Sequence, residues 1–385
     1  MRIALDIRSL TDENITGVGV YALNLVEALA KVAPQHEFVL FASGSLDVLS
    51  RLPDFKAPNV KIVKLRLPNR LLFLLMLLTG GPKLDRFLPD KPDVWIFTKF
   101  NIFKTDLPYI LTIHDLAFEI FPKFVTFKEK LHNRIVGLRS ITQAAAGLLA
   151  VSESTASDLK ERWQIPGSKI HVTPLGVDGQ KFTQREQASD RAFRATYDLN
   201  RPYILALATQ EPRKNLKSVV EAYNLYRQRH GQPLPLVLIG GAGWKNTPFK
   251  KSLADSPYAQ DIHVLGYVPE KHKPALYRGA WMFVFPSFYE GFGLPVLEAM
   301  ACGTPVITSA TSALPEIVGP AAILIDPFNV NDLASALLQG LDSEHGQKLR
   351  DHLRAEGLKQ APKFSWEQTA LLTLAALNEI DQNEK

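Results

Sequence analysis

The chain has 385 residues, 46% of them hydrophobic and 22% charged, which excludes disordered, collagen-like and low-complexity proteins and predicts two domains of somewhat under about 200 residues each. Its one cysteine, Cys302, can form neither an internal disulfide nor a cysteine-built metal cluster, and fits a reducing compartment. The net charge of +5 belongs to the first half: residues 1–177 hold 22 Lys and Arg against 17 Asp and Glu, and the remainder balances at 22 against 22.

The start, MRIALDI, reads as a strand with Asp6 inside it. It lacks the apolar core and small-residue cleavage site of a signal peptide, so a cytoplasmic protein is expected. Gly17 and Gly19 then form a glycine turn ahead of a helical pattern, TGVGVYALNLVEAL. Beyond it, the β-rich runs EFVLFA, VKIVKL, DVWIFT, YILTIHD, GLLAVS and IHVTPLG are separated by segments long enough for helices. This is a βαβ series.

The longest apolar run, LLFLLMLL at Leu71–Leu78, falls far short of the roughly 20 residues that span a bilayer. It lies within residues 56–104, which carry ten basic residues against three acidic ones. Basic plus apolar is the composition of a peripheral membrane contact, here at the inner membrane face; a buried helix beside a solvated charged surface fits equally well. No nucleic-acid partner is expected.

Residues 178–200 (DGQ onward to DLN) are polar and charged and read as a linker. The same grammar then restarts with YILALAT, PLVLIG, IHVLGY, MFVFPS, PVITS and AAILID. Apolar strands of this kind belong to parallel sheets covered by helices on both faces. The expected fold class is therefore α/β, with two doubly wound Rossmann-like domains: residues 1–177, and residues 201–363 after the linker. Leu371, Leu372, Leu374 and Leu377 have helical spacing and predict a terminal helix over about 364–385.

The strongest chemical signal is FPSFYEGFGLPVLEAMACGTPVITS, Phe285–Ser309. A strand ends, a loop of Glu290, Gly291, Phe292 and Gly293 turns, and a helix starts with Pro295 in its first turn, where proline is favoured. Free amides at such a start, backed by the helix dipole, suit a phosphate, and glycines allow close approach. Glu290 and Glu298 can both face the crevice at the carboxyl end of the sheet, where they would accept hydrogen bonds from sugar or ribose hydroxyls. Glu211, Pro212, Arg213, Lys214 and Asn215 follow strand YILALAT and open onto the same end. A cation pair there would stabilise a departing diphosphate.

No D-x-D occurs and no histidines pair at H-x3-H spacing, so neither a divalent ion on the diphosphate nor a zinc ion is expected, and no cofactor is required. Gly240, Gly241 and Gly243 superficially suggest a dinucleotide fingerprint, but Asn246 stands where the third glycine belongs. The absence of G-x4-G-K-[ST] removes a P-loop enzyme.

The spacing E-x7-E within PSFYEGFGLPVLEAMACGTPV resembles the signature of glycosyltransferase family 4, retaining enzymes of the GT-B fold. The resemblance extends through TGVGVYALNLVEAL, VSESTASDL, VTPLGVD, ATQEPRKNL and VLIGGAGW. It implies two domains facing each other across a cleft, with acceptor bound by the first, nucleotide sugar by the second, and the terminal helix packing back on the first. It further implies that Glu298 binds the donor ribose, that Glu290 lies near the transferred sugar, and that the amides of Phe292, Gly293 and Leu294, with Gly291, hold the diphosphate. Arg213 and Lys214 correspond to the donor-phosphate cations; many members have Gly and Arg where this chain has Ala208 and Thr209. His114 is placed near the donor sugar, Gly17 and Gly19 beside the diphosphate, Gly240 among the donor contacts, and Gly266, Tyr267 and Val268 at the nucleobase.

The expected activity is retaining transfer of a hexose from a nucleotide sugar to a glycan or lipid-linked saccharide. EPRKNL with YEGFGLPVLEAM resembles bacterial mannosyltransferase-type members, which puts GDP-mannose first as donor, with UDP-hexoses open. A nucleotide-sugar epimerase of the same fold and a non-catalytic glycan- or nucleotide-binding protein are the alternatives.

Overall fold

The computed structural model describes residues 1–385 other than 13, 14, 16, 230–233, 342–344, 384 and 385. The chain divides into two compact units. The first comprises Met1–Leu116, Phe127–Gly176 and Trp366–Lys385; the second comprises Ala117–Thr126 and Val177–Ser365.

In the first unit seven strands form one sheet: β1 (Arg2–Asp6), β2 (Glu37–Ser43), β3 (Val60–Leu65), β4 (Val94–Phe97), β5 (Tyr109–Ile113), β6 (Gly147–Ala150) and β7 (Ile170–Val172). They run in the order β3-β2-β1-β4-β5-β6-β7, every pair parallel. All four residues of β4 and of β6 are buried, as sheets covered on both faces demand. Edge strand β3 instead exposes Lys61 and Lys64, charges that deter pairing with another sheet. Trp95, Phe97 and Phe103 stack at the core, each worth about 1.5–3 kcal/mol of apolar burial.

The terminal helix, Trp366–Asn383, packs on helix Gly17–Val32 and on β6 and β7 of this unit. Thr369 Oγ1 donates to the Pro174 carbonyl (2.6 Å), and Lys31 pairs with Glu367 (2.6 Å). Ile380 comes so close to Gly147 that a Cβ there would sit 2.7 Å from Ile380 Cδ1, so any larger residue at the start of β6 would make the Ile380 side chain shift.

The second unit has six strands: β8 (Tyr203–Leu207), β9 (Leu236–Ile239), β10 (Ile262–Gly266), β11 (Ala280–Phe285), β12 (Val306–Ser309) and β13 (Ala322–Ile325). Their order is β10-β9-β8-β11-β12-β13, again wholly parallel. The direction of strand addition reverses between β8 and β11, which makes their carboxyl ends the place where such sheets bind ligands. All thirteen strand runs expected from the sequence fall on these strands.

Two segments behave differently from the sequence reading. Residues 178–200, read as a linker, lie in the second unit and include helix Ala188–Ala195, closed at its start by a capping box of Gln187 and Asp190. The buried Asp190 carboxylate receives a two-pronged bond from Arg278 (2.6 and 3.0 Å), a partner 88 residues away that local composition does not reveal. Ala117–Thr126, placed by sequence in the first domain, packs in the second unit. There Trp244 Nε1 donates to Phe124 O (2.8 Å), Lys245 Nζ donates to Lys123 O and Val125 O (2.8 and 2.9 Å), and Phe124 stacks on Phe288.

Candidate active site

After β8 the chain makes a short 3-10 turn, Pro212–Lys214, and leaves it through Asn215 in the left-handed region (φ +58°). Asn215 is buried; its Nδ2 donates to the carbonyls of Pro286 (3.1 Å) and Pro327 (2.8 Å), tying the loops that follow β11 and β13 to the end of β8. Phe288 N donates to Arg213 O (2.9 Å), a second tie between the β8 and β11 loops.

These ties bring four charged side chains together. Arg213 Nη1 donates to Glu290 Oε2 (3.0 Å) and Tyr289 O (2.8 Å), and its Nη2 donates to Glu211 Oε1 (2.9 Å). Lys214 Nζ donates to Glu290 Oε1 (2.6 Å) and lies 5.3 Å from the centre of the Phe285 ring. Burial alone would raise the Glu290 carboxyl, but Arg213 and Lys214 outweigh it and bring it down to about 2. Glu290 is thus an ionised carboxylate between two cations. Its own amide donates to Ser312 Oγ (2.9 Å).

Gly293, at φ +121° and with Leu314 Cδ2 only 2.8 Å from where a Cβ would be, turns the chain into helix Leu294–Ala301. Among the described residues the amides of Phe292, Gly293 and Leu294 meet no acceptor, which leaves a helix start able to receive an anion. Phe292 itself is buried against Phe364.

Glu298 projects from that helix into a separate polar network. Its Oε2 accepts from the Tyr277 hydroxyl (2.8 Å). Burial raises its carboxyl above the ordinary range, opposed by the nearby Lys273 ammonium. Lys273 pairs with Glu270 (2.5 Å), which also holds Lys181 (3.0 Å). Against the cost of burial, Glu298 and Glu270 keep the Lys273 ammonium above its ordinary value. Tyr277 and Lys273 lie four residues apart in helix Lys273–Gly279, on one face. Sequence reasoning singled out neither, nor Glu270 and Lys181. The i, i+4 spacing of a lysine and a tyrosine was their one available signal.

Gly240 serves packing: at φ +144° a Cβ would lie 1.8 Å from Ala208 O, so the β9 loop can lie against the β8 loop only with glycine there. Gln210 N donates to Gly241 O (3.1 Å) across the same contact. Beyond β10, Gly266 has φ +70°, Tyr267 is exposed and Val268 is buried.

His114, Gly17 and Gly19 belong to the first unit. His114 follows β5, with its Nε2 2.8 Å from Thr98 O and its ring edge-on to Tyr21 at 4.9 Å. A carbonyl only accepts, so Nε2 carries the proton and Nδ1 keeps its lone pair. Burial lowers the imidazole below its ordinary value, with the Thr98 bond opposing. Gly17 opens helix Gly17–Val32, and a Cβ at Gly19 would lie 2.8 Å from Ile15 Cγ2. Among the described residues no group of three or more His, Cys, Asp or Glu is placed to hold a metal ion.

Two parallel doubly wound α/β units are the architecture of the GT-B glycosyltransferases, and comparison with known proteins agrees. The family model for glycosyltransferase family 4 matches residues 15–181, and that for group 1 glycosyl transferases matches residues 190–360. The O-antigen chain mannosyltransferase B of Escherichia coli is 31% identical over 373 residues, 94% of this chain and 96% of that one. Sucrose-phosphate synthase from Thermosynechococcus elongatus superposes with a TM-score of 0.74 at 20% identity, covering 99% of each chain. HepE from Anabaena in complex with UDP-glucose gives 0.73 at 16% identity, covering 98% of this chain and 100% of that one. The chain belongs to the group 1, family 4 glycosyltransferases and is a transferase enzyme.

Proposed function

We propose that this enzyme transfers mannose from GDP-mannose, with retention of configuration, to a hydroxyl of a glycan or lipid-linked saccharide at the cytoplasmic face of a membrane. One observation carries the chemistry: Arg213 and Lys214 converge on Glu290 beside the open amides of Phe292, Gly293 and Leu294, at the carboxyl ends of β8 and β11. The resemblance to the Escherichia coli mannosyltransferase favours mannose as the sugar.

In this reading the C1–oxygen bond to the diphosphate breaks, and negative charge develops on the leaving phosphate. The two cations and the loop amides neutralise it where a divalent ion would otherwise act. The acceptor oxygen attacks C1 from the face the diphosphate leaves, and its proton passes to the departing phosphate. Glu298 receives the ribose hydroxyls, Tyr267 and Val268 border the base, and His114 Nδ1 accepts from a sugar hydroxyl.

The test is thermal denaturation with GDP, GDP-mannose, UDP and UDP-glucose, followed by transfer assays in EDTA. A ligand at a hundred times its Kd stabilises by about 2.7 kcal/mol. GDP and GDP-mannose should raise Tm; a rise with the uridine compounds alone overturns the donor assignment. Activity abolished by EDTA and restored by a divalent ion overturns the metal-free step.

A further inference from the structure

Helix Asn69–Thr79 is apolar on all sides but buries only one of them: Leu72 and Met76 face inward, while Leu71, Leu74, Leu75, Leu77 and Leu78 are exposed, Leu78 to 73%. A solvent-facing side of a surface helix is normally polar. A second helix of the first unit, Phe127–Val136, repeats the pattern. Phe127, Leu131 and Ile135 are exposed at i, i+4 and i+8, Phe127 to 80%, and form one stripe along it. Phe73 of the first helix stacks on His132 of the second, ring centres 5.3 Å apart, so the two helices lie side by side. Exposed apolar residues scattered singly need no explanation, but eight on two adjoining helices form a patch that marks an interaction surface.

The charge around this patch states what the partner is. Arg66 and Arg70 flank the start of the first helix, Lys128, Lys130 and Arg134 punctuate the second, and Arg139 follows it; Glu129 is the single acid within residues 127–139. Leucine and phenylalanine interleaved with lysine and arginine on short surface helices match the boundary between acyl chains and anionic headgroups. Among the described residues no helix is long and apolar enough to cross a membrane, so contact would be made in the plane of the surface.

We propose that helices Asn69–Thr79 and Phe127–Val136 together form a docking face for an anionic phospholipid bilayer, with the exposed leucines and Phe127 entering the acyl boundary and the cations contacting headgroup phosphates. This rests on the reading of a membrane-associated acceptor and deepens it by assigning the surface.

The test is co-sedimentation of the full chain with phosphatidylcholine vesicles, with and without phosphatidylglycerol. Binding is expected only to the anionic vesicles, falling as salt is raised. It should weaken roughly tenfold or more in Phe127→Ser/Leu131→Ser, in Leu74→Ser/Leu78→Ser, and in Lys130→Glu/Arg134→Glu. Nucleotide-induced stabilisation, measured alongside, should be unchanged in all three. It reports folding and the donor site separately, so a lost nucleotide response with retained vesicle binding would count against the donor reading alone. No binding to anionic vesicles at low salt, or undiminished binding by all three variants, overturns the proposal. So does sedimentation showing a dimer that these substitutions convert to monomer, since the face would then belong to a second copy of the chain.

Discussion

The Lys214 ammonium and a carboxylate oxygen of Glu290 lie 2.6 Å apart although 76 residues separate them in the chain. The contact is part-buried and holds Lys214 in place, so its ammonium is oriented before any anionic ligand arrives. Glu290 also accepts from Arg213, which spreads one carboxylate over two cations. Glu211 takes part of the Arg213 charge. Lys214 is therefore the cation least offset by carboxylates.

Replacing Lys214 by Ala should accordingly lower kcat about a hundredfold or more, roughly 2.7 kcal/mol of transition-state stabilisation, with a smaller change in donor KM. Steady-state kinetics check this. A rise in KM at constant kcat would mean that Lys214 binds substrate and transition state alike. Lys214→Arg should recover part of the loss, since a guanidinium restores charge with different reach.

The depressed Glu290 carboxyl predicts a pH dependence of stability. Its folded value, about 2, is below its unfolded value near 4.5, so the ionised form stabilises the fold. That contribution is complete above about pH 4.5 and is lost as pH falls toward 2. The difference amounts to about 3 kcal/mol. In urea titrations, the stability gap between the natural chain and Glu290→Gln should be constant from pH 7 to about pH 5 and close as the pH falls below that. A gap independent of pH would show that Glu290 is not ionised in the fold.

Tyr277, on helix Lys273–Gly279, holds Glu298, on helix Leu294–Ala301, and is expected to act as a positioning residue. Tyr277→Phe removes a donor from a buried carboxylate, which costs about 1–3 kcal/mol of stability. Without that bond the Glu298 carboxyl, already raised chiefly by burial, rises further. Donor KM should increase with kcat little changed, and the acidic limb of 1/KM against pH should shift to higher pH. A purely structural role would lower Tm and leave that limb in place.

What was legible in the sequence follows from range of interaction. Strands β4, β6, β8 and β9 are runs of apolar residues, and the Glu290 loop announces itself through Gly291, Gly293 and Pro295, so both could be read from neighbours in the chain. The allegiance of Ala117–Thr126 depends on Phe288 and on Trp244, and the docking of residues 178–200 depends on Arg278; these partners are distant in sequence and carry no local mark. Lys273 and Tyr277 were missed for the same reason, since their meaning comes from Glu298 on another helix. The glycines after β9 were visible, but the need for one at Gly240 appears only when Ala208 O is seen 1.8 Å from a Cβ built there.

Asn215 provides the last prediction, because it combines a backbone and a side-chain requirement. Its left-handed φ of +58° suits asparagine or glycine, while its two bonds, to Pro286 O and Pro327 O, require a side-chain donor. Asn215→Ala loses both advantages and should destabilise by about 2–4 kcal/mol. Asn215→Gly loses only the bonds and should be about 1 kcal/mol more stable than the alanine variant. Because the two carbonyls anchor the loops after β11 and β13 beside Arg213 and Lys214, both variants should also lower kcat, by similar factors, since the lost latch is common to them. Thermal denaturation with parallel kinetics separates the two requirements. Equal stability of the two variants would show that backbone conformation contributes nothing, and unchanged kcat would show that the latch does not position the cations.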